Sequence, residues 1–163
     1  MAYRLDHLFV DNFTAPGSVG LRLVNNAFFT EKLVATAVTV RNCATQVLMH
    51  HGTGDNSFEY CDLAFYFAIH PGQDGFVVDK GAYMAGGSLM IRGNTYSQKD
   101  SASQGYVIRV GTDTSGSGDG SKIESCRLDI AIEQNNFASG DSYVPGTVFF
   151  SGSSNTLQND YGC

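Results

Sequence analysis

The sequence predicts an all-β protein folded as a single-stranded, right-handed parallel β-helix of six or seven coils. Three observations carry the prediction. A short motif recurs about every 20 residues. Strand-like runs follow most of its copies, each closed by a turn signal. The composition is rich in Gly, at 19 of 163 residues, and poor in charge, at 16%.

Four segments align without gaps: Leu23-Val24-Asn25-Asn26-Ala27, Val40-Arg41-Asn42-Cys43-Ala44, Phe58-Glu59-Tyr60-Cys61-Asp62 and Ile123-Glu124-Ser125-Cys126-Arg127. Val78-Asp79-Lys80-Gly81-Ala82 fits with Gly in the cysteine slot, and Val10-Asp11-Asn12-Phe13 reads as an earlier, degenerate copy. The leading apolar residues are separated by 17, 18, 20 and 45 residues, the last gap being naturally two coils of about 22. Helix-pair solenoids need roughly 33 to 47 residues per repeat, and a leucine-rich repeat needs an L-x-x-L-x-L frame that does not occur.

The second runs are Gln46–His50, Leu63–Ile69, Ser88–Arg92 and Leu128–Glu133. They end at His51-Gly52, His70-Pro71-Gly72, Gly93-Asn94 and Gln134-Asn135-Asn136. Each coil therefore carries at least two short strands and two corners. Stacking at about 4.8 Å would bury each inward side chain against its equivalents above and below. Cys43, Cys61, Gly81 and Cys126 are expected to form one inward column at a corner too tight for a large side chain. Asn25 and Asn42 suit corners because Asn tolerates the left-handed conformation. Residues 26–40 also admit an amphipathic helix, but Thr30, Val34, Thr36, Val38, Thr39 and Val40 favour strand. Loop excursions are expected at 97–105 and 112–121. The chain reads as one domain, with regular coils over 1–136 and a less regular coil or cap over 137–163 that includes the strand-like Thr147-Val148-Phe149-Phe150.

Charge narrows the function classes. A net charge of −6, with ten scattered Lys and Arg, argues against nucleic acid and against anionic membrane surfaces. No apolar run approaches the roughly 18 residues of a membrane span. The N-terminus, Met1-Ala2-Tyr3-Arg4-Leu5-Asp6, lacks a signal-peptide core, which fits assembly in a cytoplasm or a fragment carrying an added Met. Cys43, Cys61, Cys126 and Cys163 show neither CxxC nor zinc-finger spacing, so no metal or other cofactor is expected. Asp113 to Gly120 lacks both the Lys of a phosphate loop and the Glu of a calcium loop.

The stretch Val24 to Lys32, continuing into Val40-Arg41-Asn42-Cys43 and Ser57-Phe58-Glu59-Tyr60-Cys61, resembles the pectate-lyase-like β-helices of bacteriophage tail and tailspike proteins. The likeness is one of coil grammar: an aromatic, Thr or Ser, Glu and a basic residue, then apolar-x-Asn-Cys. It covers roughly residues 5 to 135. It implies a virion-associated module, often trimeric or joined to a neighbouring β-helix domain, that binds or degrades host surface polysaccharide. A non-viral extracellular β-helix stays open as an alternative.

Two sets of residues are candidates for chemistry. Glycoside cleavage needs two carboxylates about 5 to 9.5 Å apart. The slot after the leading apolar residue holds Val24, Arg41, Glu59, Asp79 and Glu124, so Glu59 and Asp79 are expected on neighbouring coils, with Arg41 beside Glu59. The plainer reading of that row is an exposed charge ladder worth well under ~1 kcal/mol. Glu31, after the Phe28-Phe29 pair, and the turn histidines His50, His51 and His70 read first as structural. Tyr60, Tyr66, Tyr83, Tyr96 and Tyr106 are spread along the coils, and tyrosine faces stack on sugar rings. Tyr60, Tyr66, Tyr83 and Arg41 are the candidate glycan-binding set, partial burial at corners or subunit contacts being the alternative for the tyrosines.

Overall fold

A computed structural model describes residues 3–26, 30–53, 57–70, 72–96, 106–111, 120–135, 146–150 and 156–158. The expected excursions fall almost wholly outside these residues, as do Phe28, Phe29 and Cys163. Every described element is a strand: β1 (Tyr3–Asp6), β2 (Phe9–Asp11), β3 (Val19–Asn25), β4 (Thr30–Glu31), β5 (Leu33–Arg41), β6 (Thr45–His51), β7 (Ser57–Ile69), β8 (Asp74–Asp79), β9 (Tyr83–Tyr96), β10 (Tyr106–Val110), β11 (Lys122–Glu124), β12 (Arg127–Asn135), β13 (Gly146–Phe150) and β14 (Thr156–Gln158). The helical alternative for 26–40 is thereby excluded over the described part.

All described pairings are parallel, and the chain alternates between two sheets as it winds. The first sheet runs β1-β5-β7-β9-β11-β14, with β2, β4 and β12 joining β5, β7 and β9; the second runs β13-β10-β8-β6-β3. The protein is a parallel β-solenoid, the fold class the sequence predicts. Its core is a continuous apolar column between the sheets, including Val40, Phe58, Leu63, Phe65, Phe76, Met84, Leu89, Ile91, Ile108 and Ile123. Phe65 ties the sheets together, its ring stacking on Phe67 at 5.6 Å and tilting against Phe76 at 5.9 Å.

The coils are longer and fewer than the motif spacing suggests. Thr30 pairs with Phe58 and Phe58 with Met84, so one turn of the chain takes 28 and then 26 residues, not about 20. The motif copies belong to different columns. Leu23 and Val78 align through Met49 on the second sheet, Val40 aligns with Phe67 on the first, and Phe58 and Ile123 align through Met84. Each leading residue is buried, as expected. The motif marks a strand running into a bend, and every coil has more than one bend.

One bend recurs within the first sheet. Phe58 and Cys61 both point inward although they are three residues apart, which strict alternation forbids. Tyr60, in the left-handed region at φ 52°, supplies the phase shift, as a β-bulge does. Lys32 (φ 59°), Gly86 (φ 68°) and Ser125 (φ 53°) repeat it on the other coils. The thiols sit just beyond. Cys61 pairs with Gly87, and Cys126 follows on the next coil with Sγ 3.2 Å from the Gly86 carbonyl. Gly87, not Gly81, occupies the slot between them, because a Cβ there would run into the Cys61 carbonyl oxygen. Gly81 lies in the turn after β8, and Cys43 lies at a separate corner after β5. The four residues of the expected single column thus lie at three places, and all three described cysteines are fully buried.

The corner between the sheets is built on Asn12 and Asn42, both left-handed at φ 69° and 50°. Asn42 Nδ2 donates to Asn12 Oδ1 at 2.9 Å, Gln73 Nε2 to Asn42 Oδ1 at 3.2 Å, and Gln46 Nε2 to Gln73 Oε1 at 3.2 Å. Asn25 is instead a buried strand residue whose Nδ2 donates to the Ser57 carbonyl at 3.0 Å. The strand expected at Thr147-Val148-Phe149-Phe150 lies within β13, which pairs in parallel with β10.

Candidate functional site

Of the six candidate residues, five lie on the first sheet: Glu59, Tyr60 and Tyr66 on β7, Tyr83 on β9 and Arg41 at the end of β5. Asp79 lies at the end of β8 on the second sheet. The pairing of Glu59 with Asp79 on neighbouring coils is therefore not realised. Twenty residues are less than one turn, and the step from 59 to 79 crosses from one sheet to the other. Asp79 is 8% exposed, with its Oδ1 2.8 Å from Nδ1 of His50. Arg41 does not stand beside Glu59 either. It aligns with Ala68, bonds Asp11 at 2.9 Å and stacks over the Phe9 ring at 4.9 Å from its centroid.

Glu59, Tyr60 and Tyr83 do come together. They line a cavity of about 350 Å³ with Ala85, Gly86 and Ser125 on the outer face of the first sheet. Its construction follows from the strand register. Phe58, Met84 and Ile123 turn inward, so Glu59, Ala85 and Glu124 turn outward in one column. Ala85, the small member, leaves a floor between the two glutamates. At the bend, left-handed Tyr60 sends its ring across to the next coil, where Gly86 makes room for it: a Cβ there would lie 3.2 Å from the Tyr60 ring. Tyr60 stays 60% exposed, offering an open aromatic face.

Tyr83 forms the other wall. Its hydroxyl donates to Glu124 Oε2 at 3.3 Å, and Lys122 Nζ lies 6.0 Å from its ring centroid and 3.9 Å from Glu124 Oε1. Partial burial, followed by the Glu124 carboxylate, pushes the Tyr83 hydroxyl up from its ordinary value, so it remains a donor at neutral pH. Sequence reasoning singled out Glu31 but read it first as structural and did not align it with Glu59: β4 pairs with β7 so that Glu31 lies directly across from Glu59. With the period set at 20, Glu31 fell between slots. The small residues Ala85 and Gly86, which form the floor, carried no signal that could be read from one coil.

Farther along β7, Tyr66 is 52% exposed and aligns with Arg92, whose Nη2 bonds Asp129 Oδ2 at 2.7 Å. The hydrogen bond from Arg92 holds the Asp129 carboxyl below its ordinary value. Ser88 Oγ donates to Asp62 Oδ1 at 2.8 Å on the same face. The outer face is a polar sheet with aromatic residues at intervals, its charges already oriented by ion pairs. It can stack on rings and exchange hydrogen bonds with hydroxyl groups. Among the described residues no cluster of three His, Cys, Asp or Glu side chains is placed to hold a metal ion. No family model, no curated protein and no solved structure matches the chain.

Proposed function

We propose that the protein is a structural, glycan-binding β-solenoid module of a bacteriophage tail or tailspike, presented as a homotrimer or stacked on a neighbouring β-helix domain and assembled in the host cytoplasm. The virion assignment rests on the coil grammar of Val24 to Lys32, Val40 to Cys43 and Ser57 to Cys61. The observation that carries the binding role is the cavity in which Tyr60 and Tyr83 flank Glu59 over a floor of Ala85 and Gly86. Aromatic walls and a carboxylate acceptor suit pyranose rings, whose faces are apolar and whose edges are hydroxyl donors. Tyr66, exposed on the same strand, extends the footprint along a chain polymer. The test is affinity electrophoresis against host surface polysaccharide. Tyr60→Ala and Tyr83→Ala are each expected to weaken retention about tenfold, the loss of roughly 1.4 kcal/mol of stacking and hydrogen bonding. Unchanged retention in both variants overturns the assignment of the groove.

A second reading keeps the polysaccharide but adds cleavage. The register of Glu31 on Glu59 sets two glutamates side by side on neighbouring strands, their backbones about one strand spacing apart, and so supplies the pair of carboxylates that glycoside chemistry requires. Reducing ends or unsaturated uronides released by the protein, and abolished in Glu59→Gln, would establish it. Their absence alongside retention favours binding alone.

A further inference from the structure

The groove over Ala85 and Gly86 has a sign as well as a shape. Glu59 lines it, Glu124 follows in the same column beyond Ala85, and Glu31 lies across from Glu59 on the preceding coil. Lys122 lies 3.9 Å from Glu124 and offsets that one carboxylate. Lys32 is exposed at the bend beside Glu31, and its backbone N–H donates to the Glu59 carbonyl. Three carboxylates thus face two ammonium groups around the groove, inside a chain of net charge −6. Asp62 and Arg127, both exposed and both aligned with Ser88, add one charge of each sign just past the cysteines.

Such a groove discriminates by charge. A hydroxyl of an uncharged sugar donates to a carboxylate, and a hydrogen bond onto a charged acceptor is about twice as strong as a neutral one. A uronate brings its own carboxylate against Glu59 and can donate nothing from it. Tyr60 and Tyr83 stack on either sugar, so the rings select a pyranose and the carboxylates select among pyranoses. Resting on the glycan-binding reading above, we infer that the groove takes chains of uncharged hexose or N-acetylhexosamine units and excludes polyuronates. Coulomb's law in water at about 4 Å gives roughly a fivefold penalty for each carboxylate pair brought together. Lys122 offsets Glu124, so the pair with Glu59 sets the discrimination at about fivefold.

The test measures retention of the whole chain in gels containing dextran, mannan, galactan, polygalacturonate or alginate. Retention by at least one uncharged polymer is expected, with either uronate polymer about fivefold weaker at low salt. The gap should narrow as salt rises from about 0.01 M to about 1 M, because the Debye length falls from roughly 30 to 3 Å. The Glu59→Gln/Glu124→Gln double variant keeps the side-chain volumes and should regain uronate retention by about fivefold or more. Thermal unfolding of that variant verifies that it is folded. Uronate retention equal to or above that of every uncharged polymer overturns the inference but leaves glycan binding standing. Discrimination unchanged in the double variant also overturns it. Absence of retention by all five polymers removes the glycan-binding reading, and the inference with it.

Discussion

The two sheets share one core, but their outer faces are built differently. On the first sheet, outward positions of β7 and β9 include Tyr60, Tyr66 and Met90, all exposed. On the second, Leu48 and Val77 alternate with Met49 and Val78 of the core and so point away from it, yet Val77 is only 2% exposed. One ion pair there is also withdrawn, while Arg22 on β3 stays exposed. Asp74 bonds Arg109 at 3.0 Å with both side chains largely buried, and burial pushes the Asp74 carboxyl up against the pull of that guanidinium. The first sheet keeps the Tyr60 and Tyr66 rings in solvent beside its ion-paired charges, which is why the candidate site is placed there.

The comparison holds only if the sheets fold as one body, and Phe65 tests that most severely. Its ring contacts Phe67 within the first sheet and Phe76 on the second. Phe65→Ala should cost about 3–5 kcal/mol, the range for a fully buried aromatic side chain. Chemical denaturation followed by tyrosine fluorescence and by circular dichroism should show one shifted transition in both signals. Two separated transitions would mean that the sheets are independent.

Alkaline pH addresses the column inside the first sheet. Burial pushes the Cys61 thiol from 9.0 up to about 11 and the Cys126 thiol up to about 12. The fold therefore favours the neutral thiol. Below pH 9 both states are protonated and nothing is lost. Above it the unfolded chain ionises first, so stability falls as pH rises from about 9 toward about 11 to 12. Urea midpoints across that window should decline, and Cys61→Ala should flatten part of the decline. A decline identical in slope for the variant would assign the loss to other groups. At neutral pH all three described thiols should resist alkylation until the protein unfolds.

The corner joining the sheets comes next in size. Asn42→Ala removes the links to Asn12 and Gln73 and puts Ala at φ 50°, together about 1–2 kcal/mol. Asn42→Gly separates the two causes, since it keeps the backbone conformation and loses only the ladder. Equal losses in both variants would assign the cost to the hydrogen bonds.

These cases also show how far the sequence could be read. Alternation in Leu63-Ala64-Phe65-Tyr66-Phe67-Ala68-Ile69 declared both the strand and its inward face, and burial follows that pattern residue by residue. Asn42 was legible as a corner because few residue types tolerate its conformation. The period was not legible, because Val40-Arg41-Asn42-Cys43 and Phe58-Glu59-Tyr60-Cys61 obey one local rule at different bends. A left-handed residue after two strand residues and before a buried thiol looks alike wherever it occurs. That ambiguity moved Asp79 next to Glu59 on paper and left Glu31 off the row, while the exposure of the Tyr60 and Tyr66 rings does not depend on the exact turn length.

The smallest effect bears most directly on the difference between the faces. Tyr66 and Val77 both point outward, one from each sheet, but their exposures are 52% and 2%. Tyr66→Ala should change stability by no more than about 0.5 kcal/mol, as at an ordinary surface position. Val77→Ala should cost about 1–2 kcal/mol, because it deletes two buried methyl groups. Melting temperatures of the two variants measure this directly. A Tyr66 loss as large as that of Val77 would mean that the outer face of the first sheet is packed as the second is, and the groove beside it would then lie in an interface. A silent Tyr66→Ala that still loses polysaccharide retention would show the opposite: a ring held in solvent at no benefit to the fold, and used by the ligand.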